Sequence, residues 1–128
     1  MKIRTRIAAV IAFIIGAMAV FAGGRVVVLG QMPDYHVIPW LPWYNFTMGV
    51  ITLVITTPWL WKNHPYARSA SVATFAAHAT VMLTLLTAYQ GIVAGESIRA
   101  MTIRLTAWAI ILLLLYLPCK SASKSKVN

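Results

Sequence analysis

Followed along its apolar positions, the chain falls into four nearly unbroken hydrophobic runs, about Ile7 to Leu29, Trp43 to Trp61, Ser69 to Tyr89 and Ile98 to Leu117. Each is close to the ~20 residues that an α-helix needs to cross the hydrocarbon core of a bilayer. The strict apolar/polar alternation of a membrane β-barrel strand is missing from all four. The predicted fold is therefore all-α, an integral membrane four-helix bundle forming a single domain over residues 1–128. Two short tails and three short connections remain, so any function has to be carried out inside the membrane or at its surfaces.

Composition agrees with the pattern: 60% of the 128 residues are hydrophobic and 10% charged, with a mean hydropathy of +0.78. Soluble domains do not have this balance. The charges then fix an orientation. Lys2, Arg4, Arg6, Lys62, Arg68, Lys120, Lys124 and Lys126 lie in the tails and in the second connection. Basic residues in short loops stay on the cytoplasmic side, which predicts that both termini are cytoplasmic. The remaining basic residues, Arg25, Arg99 and Arg104, sit near the two acids, Asp34 and Glu96, at the opposite, extracytoplasmic end. The bias has the same sense at every crossing, which argues against an inverted-dimer topology. The net charge of +9 is thus a topology signal with some attraction to anionic membrane lipids, and nucleic acid is not an expected partner. A multi-pass protein of a bacterial inner membrane is the expected location. Lys2, Arg4 and Arg6 ahead of an apolar run, with Ala17-Met18-Ala19 behind, imitate a secretory signal. The run is longer than a signal core, so a retained span is expected.

Within the first run Ala12, Gly16, Ala19 and Gly23 recur at helical spacing, a stripe of small side chains that lets another helix approach closely. The connection from Gly30 to Pro42 contains Pro33, Pro39 and Pro42, which prevent a regular helix. Its aromatic residues, with Tyr35, Trp40, Trp43 and Tyr44 expected at headgroup level, predict a Pro- and aromatic-rich extracytoplasmic cap over the bundle mouth. Trp59, Trp61 and Tyr66 form the matching belt at the other face, around a turn with Asn63 and His64 exposed.

Candidate chemistry gathers at the outer mouth. Arg25 ends the first span, Asp34 and His36 lie in the cap, and Glu96, Arg99 and Arg104 open the last span. Arg104 lies six residues below the start of that span, roughly 9 Å at helical rise, where an unpaired guanidinium is costly. Glu96 and Arg99 have the spacing of a helical ion pair, and Asp34 is a candidate partner for Arg25 or Arg104. One reading makes these charges a clasp between the cap and the first and last spans. The other makes them a ligand-binding site, with guanidinium groups holding a carboxylate, phosphate or quinone oxygen and His36 available for proton transfer.

A second set of polar residues lies at mid-span. His78 sits among Ser71, Thr74, Thr80, Thr84 and Thr87, and the second run offers Asn45, Thr47, Thr52, Thr56 and Thr57. Together they predict a seam of interhelical hydrogen bonds, in which His78 bonds a threonine, ligates a haem or relays protons. A bis-histidine haem would need a second subunit, because His36 and His64 belong to opposite faces. No catalytic residue, metal set or cofactor follows from the sequence. Cys119 is the lone cysteine, which excludes a dithiol, and no mid-span lysine or carboxylate is available for a Schiff base or an acid-driven exporter.

In layout the chain resembles the broad DoxX-like group of small four-helix membrane proteins. The resemblance covers most of the chain. It rests on Gly16 to Gly24 with Arg25 at the end of the first span, the proline- and aromatic-rich cap, the Leu41 to Gly49 entry to the second span, and an alanine-rich third span after a short basic loop. It implies the four-helix fold and an association with respiratory or redox membrane complexes. The entry to the second span carries Asn45 and Thr47 in place of an acid, so no site residue is carried over. The expected function is that of a small accessory or binding protein for a polar or anionic headgroup, quinone or lipid, with a place in such a complex as part of the expectation. The alternatives are a channel or transporter for a small solute in a homo-oligomer, and a structural subunit bound to other membrane subunits.

Overall fold

A computed structural model describes residues 2–31 and 38–117, all of whose regular elements are helical. The order is α1 (Lys2–Val27), α2 (Leu41–Ile51), a π-helical turn (Thr52–Thr56), α3 (Thr57–Trp61), α4 (Ala67–Thr87) and α5 (Gly95–Tyr116). Since α2, the π-turn and α3 follow one another without a break, they make one rod from 41 to 61, and the bundle has four rods. Three of them, Ile3–Val27, Ala67–Thr87 and Gly95–Tyr116, are long and apolar enough to cross a membrane. Large apolar side chains such as Phe13, Phe21, Leu83 and Leu113 are more than half exposed on the outside, as suits a protein solvated by lipid. Asp34 and His36 lie outside the described residues, as do the other cap residues from 32 to 37. Its described end folds onto the bundle, where Ile38 is buried and the Trp40 indole N–H donates to the Tyr89 hydroxyl at 2.8 Å.

The rod from 41 to 61 changes register because of Pro58. Proline has no N–H for the helical ladder, and its ring crowds the carbonyl four residues earlier. The turn before it widens, and the Thr57 N–H bonds the Thr52 carbonyl, five residues back. Such widened turns recur at functional sites.

The first rod packs against the second at backbone distance. A Cβ added to Gly23 would lie 2.6 Å from both the Phe46 nitrogen and the Pro42 oxygen, and one added to Gly49 would lie 2.8 Å from the Val20 nitrogen. The small-residue stripe therefore faces α2, with Ala12 and Ala19 buried along it. The other flank of α1 meets α5, and α5 pairs with α4.

Buried residues trace one stripe on each of α4 and α5. On α4 they are Ala67, Ser71, Thr74, His78, Val81 and Leu85, and on α5 they include Met101, Arg104, Trp108, Ile111 and Leu115. These are the alternating three- and four-residue steps of a core-facing helix. In three dimensions they make two apolar clusters. One, toward the chain termini, joins Ala8, Ala9 and Ala12 to Leu60, Trp108, Ile111 and Leu115. The other, toward the cap, joins Ile38 and Leu41 to Val81, Leu85 and Met101. Asn45, His78 and Arg104 lie between these clusters along their helices.

Among the described residues, the hydroxyls of α4 and α5 do not form the expected interhelical seam. Ser71, Thr74, Thr80, Thr84, Thr87 and Thr102 each donate to the carbonyl four residues earlier on their own helix. A hydroxyl in an apolar medium takes the nearest acceptor, and that lies one turn back.

The close approach of α1 and α2 predicts opposite outcomes at neighbouring glycines. Gly23→Ala is expected to destabilise the bundle by about 1–3 kcal/mol through overpacking. A Cβ on Gly24 would meet nothing nearer than 3.5 Å, so Gly24→Ala is expected to be neutral or to stabilise by up to about 1 kcal/mol. Unfolding of both variants in detergent micelles measures the difference, and equal effects would contradict the backbone contact.

Candidate functional site

Helix 5 begins at Gly95, earlier than the apolar run suggests, so Arg104 stands nine residues into it, about 13 Å along the axis. That is mid-depth, well below the outer mouth where Arg104 was expected to contribute. Its side chain is 6% exposed, and its Nη1 donates to Asn45 Oδ1 at 2.7 Å. This bond crosses from α5 to α2 and uses one of the few side-chain acceptors in the core. On the adjoining helix His78 is 3% exposed. Its Nδ1 lies 2.8 Å from the Tyr44 hydroxyl, with the two rings edge to face at a centroid distance of 5.7 Å.

Tyr44 therefore corrects the sequence reading twice. Its ring turns into the bundle and away from the headgroup belt, and it takes the place of the threonine expected beside His78. Trp43, its neighbour, points outward and is 60% exposed. A helical turn separates inward from outward directions by two or three residues, and an aromatic-rich entry such as Trp43-Tyr44 does not declare its phase. The signal that could have found Tyr44 is its place one turn after the buried Leu41 and next to Asn45.

Between these residues is a cavity of about 10 Å3, lined by Gly16, Asn45, Thr52, His78, Arg104 and Trp108 among others. That is room for about one water molecule. Trp108, fully buried, is part of the wall, and its Nε1–H has no hydrogen-bond partner. The described lining contains a guanidinium, an indole N–H and an imidazole and no carboxylate. Its chemistry favours an acceptor oxygen, neutral or anionic, in a water-poor setting where each hydrogen bond counts for more. A haem does not fit in this space within a single chain. Among the described residues no group of three His, Cys, Asp or Glu side chains could hold a metal ion.

No protein family, curated protein or solved structure matches the chain. The site is therefore defined by its own geometry.

The described remaining members of the expected mouth, Arg25, Glu96 and Arg99, stand apart from this cavity. Arg25, in the last turn of α1, donates from Nε to Gln31 Oε1 at 3.2 Å, and its guanidinium lies 5.5 Å from the Phe21 ring centroid. Glu96 and Arg99 are both exposed at the start of α5 and do not pair with each other. Water and headgroups satisfy exposed charges there, and holding two long side chains together in an ion pair gains little. Thr74 is buried beside the centre on α4 but spends its hydroxyl on the Ala70 carbonyl.

Asn45 and Tyr44 carry unequal weight in this arrangement. Asn45→Leu removes an acceptor from a buried charge and is expected to destabilise by about 2–3 kcal/mol, whereas Tyr44→Phe removes one neutral bond and should cost about 1 kcal/mol. Chemical denaturation in mild detergent ranks the two. A larger loss for Tyr44→Phe would contradict the central place of the Arg104 bond.

Proposed function

We propose that the chain is a small accessory or binding protein of a bacterial inner membrane, with four spans and both termini cytoplasmic. In this reading the Arg104 centre holds the oxygen of a polar or anionic headgroup, from a quinone or a lipid. The observation that carries the reading is the buried donor set around the cavity. Arg104 is fixed by Asn45, and the Trp108 N–H has no acceptor in the same wall. A donor left unmet in an apolar interior costs free energy that an acceptor oxygen recovers.

The cavity admits one oxygen-sized group, so the body of such a ligand would lie between helices. The flank between α2 and α4 is the suitable side. It is bridged by the side chains of Tyr44 and His78 and of Trp40 and Tyr89, which can part without breaking backbone packing. Toward the termini the interior is filled by Leu60, Trp108, Ile111 and Leu115, which argues against a solute path through a single chain. The resemblance of the sequence layout to DoxX-like proteins supports a role beside a redox or respiratory membrane complex.

Thermal unfolding of the purified protein with and without a short-chain quinone tests the reading. The native chain is expected to be stabilised. Arg104→Lys, which keeps the charge but not the planar donor fork, is expected to weaken the apparent affinity about tenfold, the value of one charge-assisted hydrogen bond. Trp108→Phe should weaken it less. Identical shifts in all three proteins would remove the Arg104 centre as the site.

A further inference from the structure

A groove with a basic rim lies on the outside of the bundle, where α1 passes the π-turn. Val10 and Phe13 of α1, with Leu53, Pro58 and Trp61 of the second rod, form an almost wholly apolar wall around a volume of about 470 Å3. That is within the range of ligand pockets. Two features set the groove apart from the rest of the apolar flank.

The first is the Thr57 hydroxyl, which lies in the groove wall, buried and without a hydrogen-bond partner. Threonines on α4 and α5 return their hydroxyls to the carbonyl one turn back. The π-turn alters that register for Thr57, whose N–H goes to Thr52, and its hydroxyl is left unpartnered within the groove wall. The second feature is charge. Lys62 lines the groove at the end near the termini, and its ammonium makes no hydrogen bond or ion pair among the described residues. The Arg6 guanidinium lies 4.8 Å from the centroid of the Trp61 ring, part of the same wall.

Thr57 and Lys62, the residue that caps the rod, are five residues apart, about 7.5 Å at helical rise. A hydroxyl somewhat more than a turn deeper than an ammonium, beside an apolar trough, matches the order of groups in a glycerophospholipid: phosphate, ester carbonyl, acyl chain. We infer that the groove binds one anionic glycerophospholipid from the leaflet that contains Arg6 and Lys62. The phosphate pairs with Lys62, and Arg6 adds to the positive field. An ester carbonyl accepts from the Thr57 hydroxyl, and the acyl chain lies along Val10 and Phe13. The site is separate from the Arg104 cavity and holds or fails independently of it.

Native mass spectrometry of the full chain, with equal amounts of phosphatidylglycerol and phosphatidylcholine carrying identical acyl chains, tests the site. The native protein is expected to retain one phosphatidylglycerol in preference to phosphatidylcholine. Lys62→Gln is expected to lower that preference about fivefold, the contribution of one basic residue near an anionic surface. Its thermal midpoint without lipid should be unchanged, because the Lys62 side chain is exposed and its ammonium bonds no described residue. Thr57→Val should lower the retention of both lipids. Equal retention of the two lipids by the native chain would leave only annular lipid and overturn the site, as would an undiminished preference in the Arg6→Gln, Lys62→Gln double variant.

Discussion

A guanidinium in the middle of a membrane helix has to be solvated by the protein itself. Arg104 stands in the buried stripe of α5, between Met101 and Trp108, so the helix cannot turn it to lipid without also exposing that stripe. Its bond to Asn45 therefore fixes more than one contact. It sets the rotation of α5 and ties it across the bundle to α2. His78 holds the same place on α4, between Thr74 and Val81, and its contact with Tyr44 joins α4 to α2. Hydrophobic burial gives helices in lipid little reason to associate. Polar bonds of this kind, together with close packing, supply the specificity.

Close packing is concentrated on the other side. Gly23 and Gly49 bring α1 and α2 together at backbone distance, a contact that cannot be loosened gradually because no flexible side chain lies between the helices. The α2–α4 flank is bridged by aromatic and imidazole side chains, which have other rotamers available. The bundle thus has one seam that is sterically fixed and another that depends on hydrogen bonds. Adaptation to a ligand falls naturally to the second.

The helices and the glycine stripe were legible in the sequence because both depend on spacing alone. Four apolar runs account for four rods, and Gly16 and Gly23 occur where the close contact with the second rod is made. The polar centre was legible only in part. His78, Asn45 and Arg104 stand out as polar residues in apolar runs, but their mutual distances depend on the phases of three helices. Those phases hinge on where each helix begins. A start at Gly95 in place of Ile98 carries Arg104 from the mouth to mid-depth and separates it from Glu96 and Arg99. Tyr44 was misplaced for a related reason. Aromatic residues near a helix entry serve the interface and the core equally well, and only the turn adopted at Trp40 decides between them.

The π-turn is the element least visible in the sequence, and it serves both faces of the second rod. Thr52, at its start, is buried and lines the Arg104 cavity. Thr57, immediately after it, has its hydroxyl buried in the outer groove wall with no partner. In an uninterrupted α-helix Thr57 would have the same i−4 acceptor as the threonines of α4, and the outer wall would hold no unmet hydroxyl. Pro58 disallows that regular register, and the unmet hydroxyl follows from it. A single proline, placed where it breaks the helical ladder, thereby gives an otherwise apolar flank a polar feature, while the same turn keeps a threonine against the core.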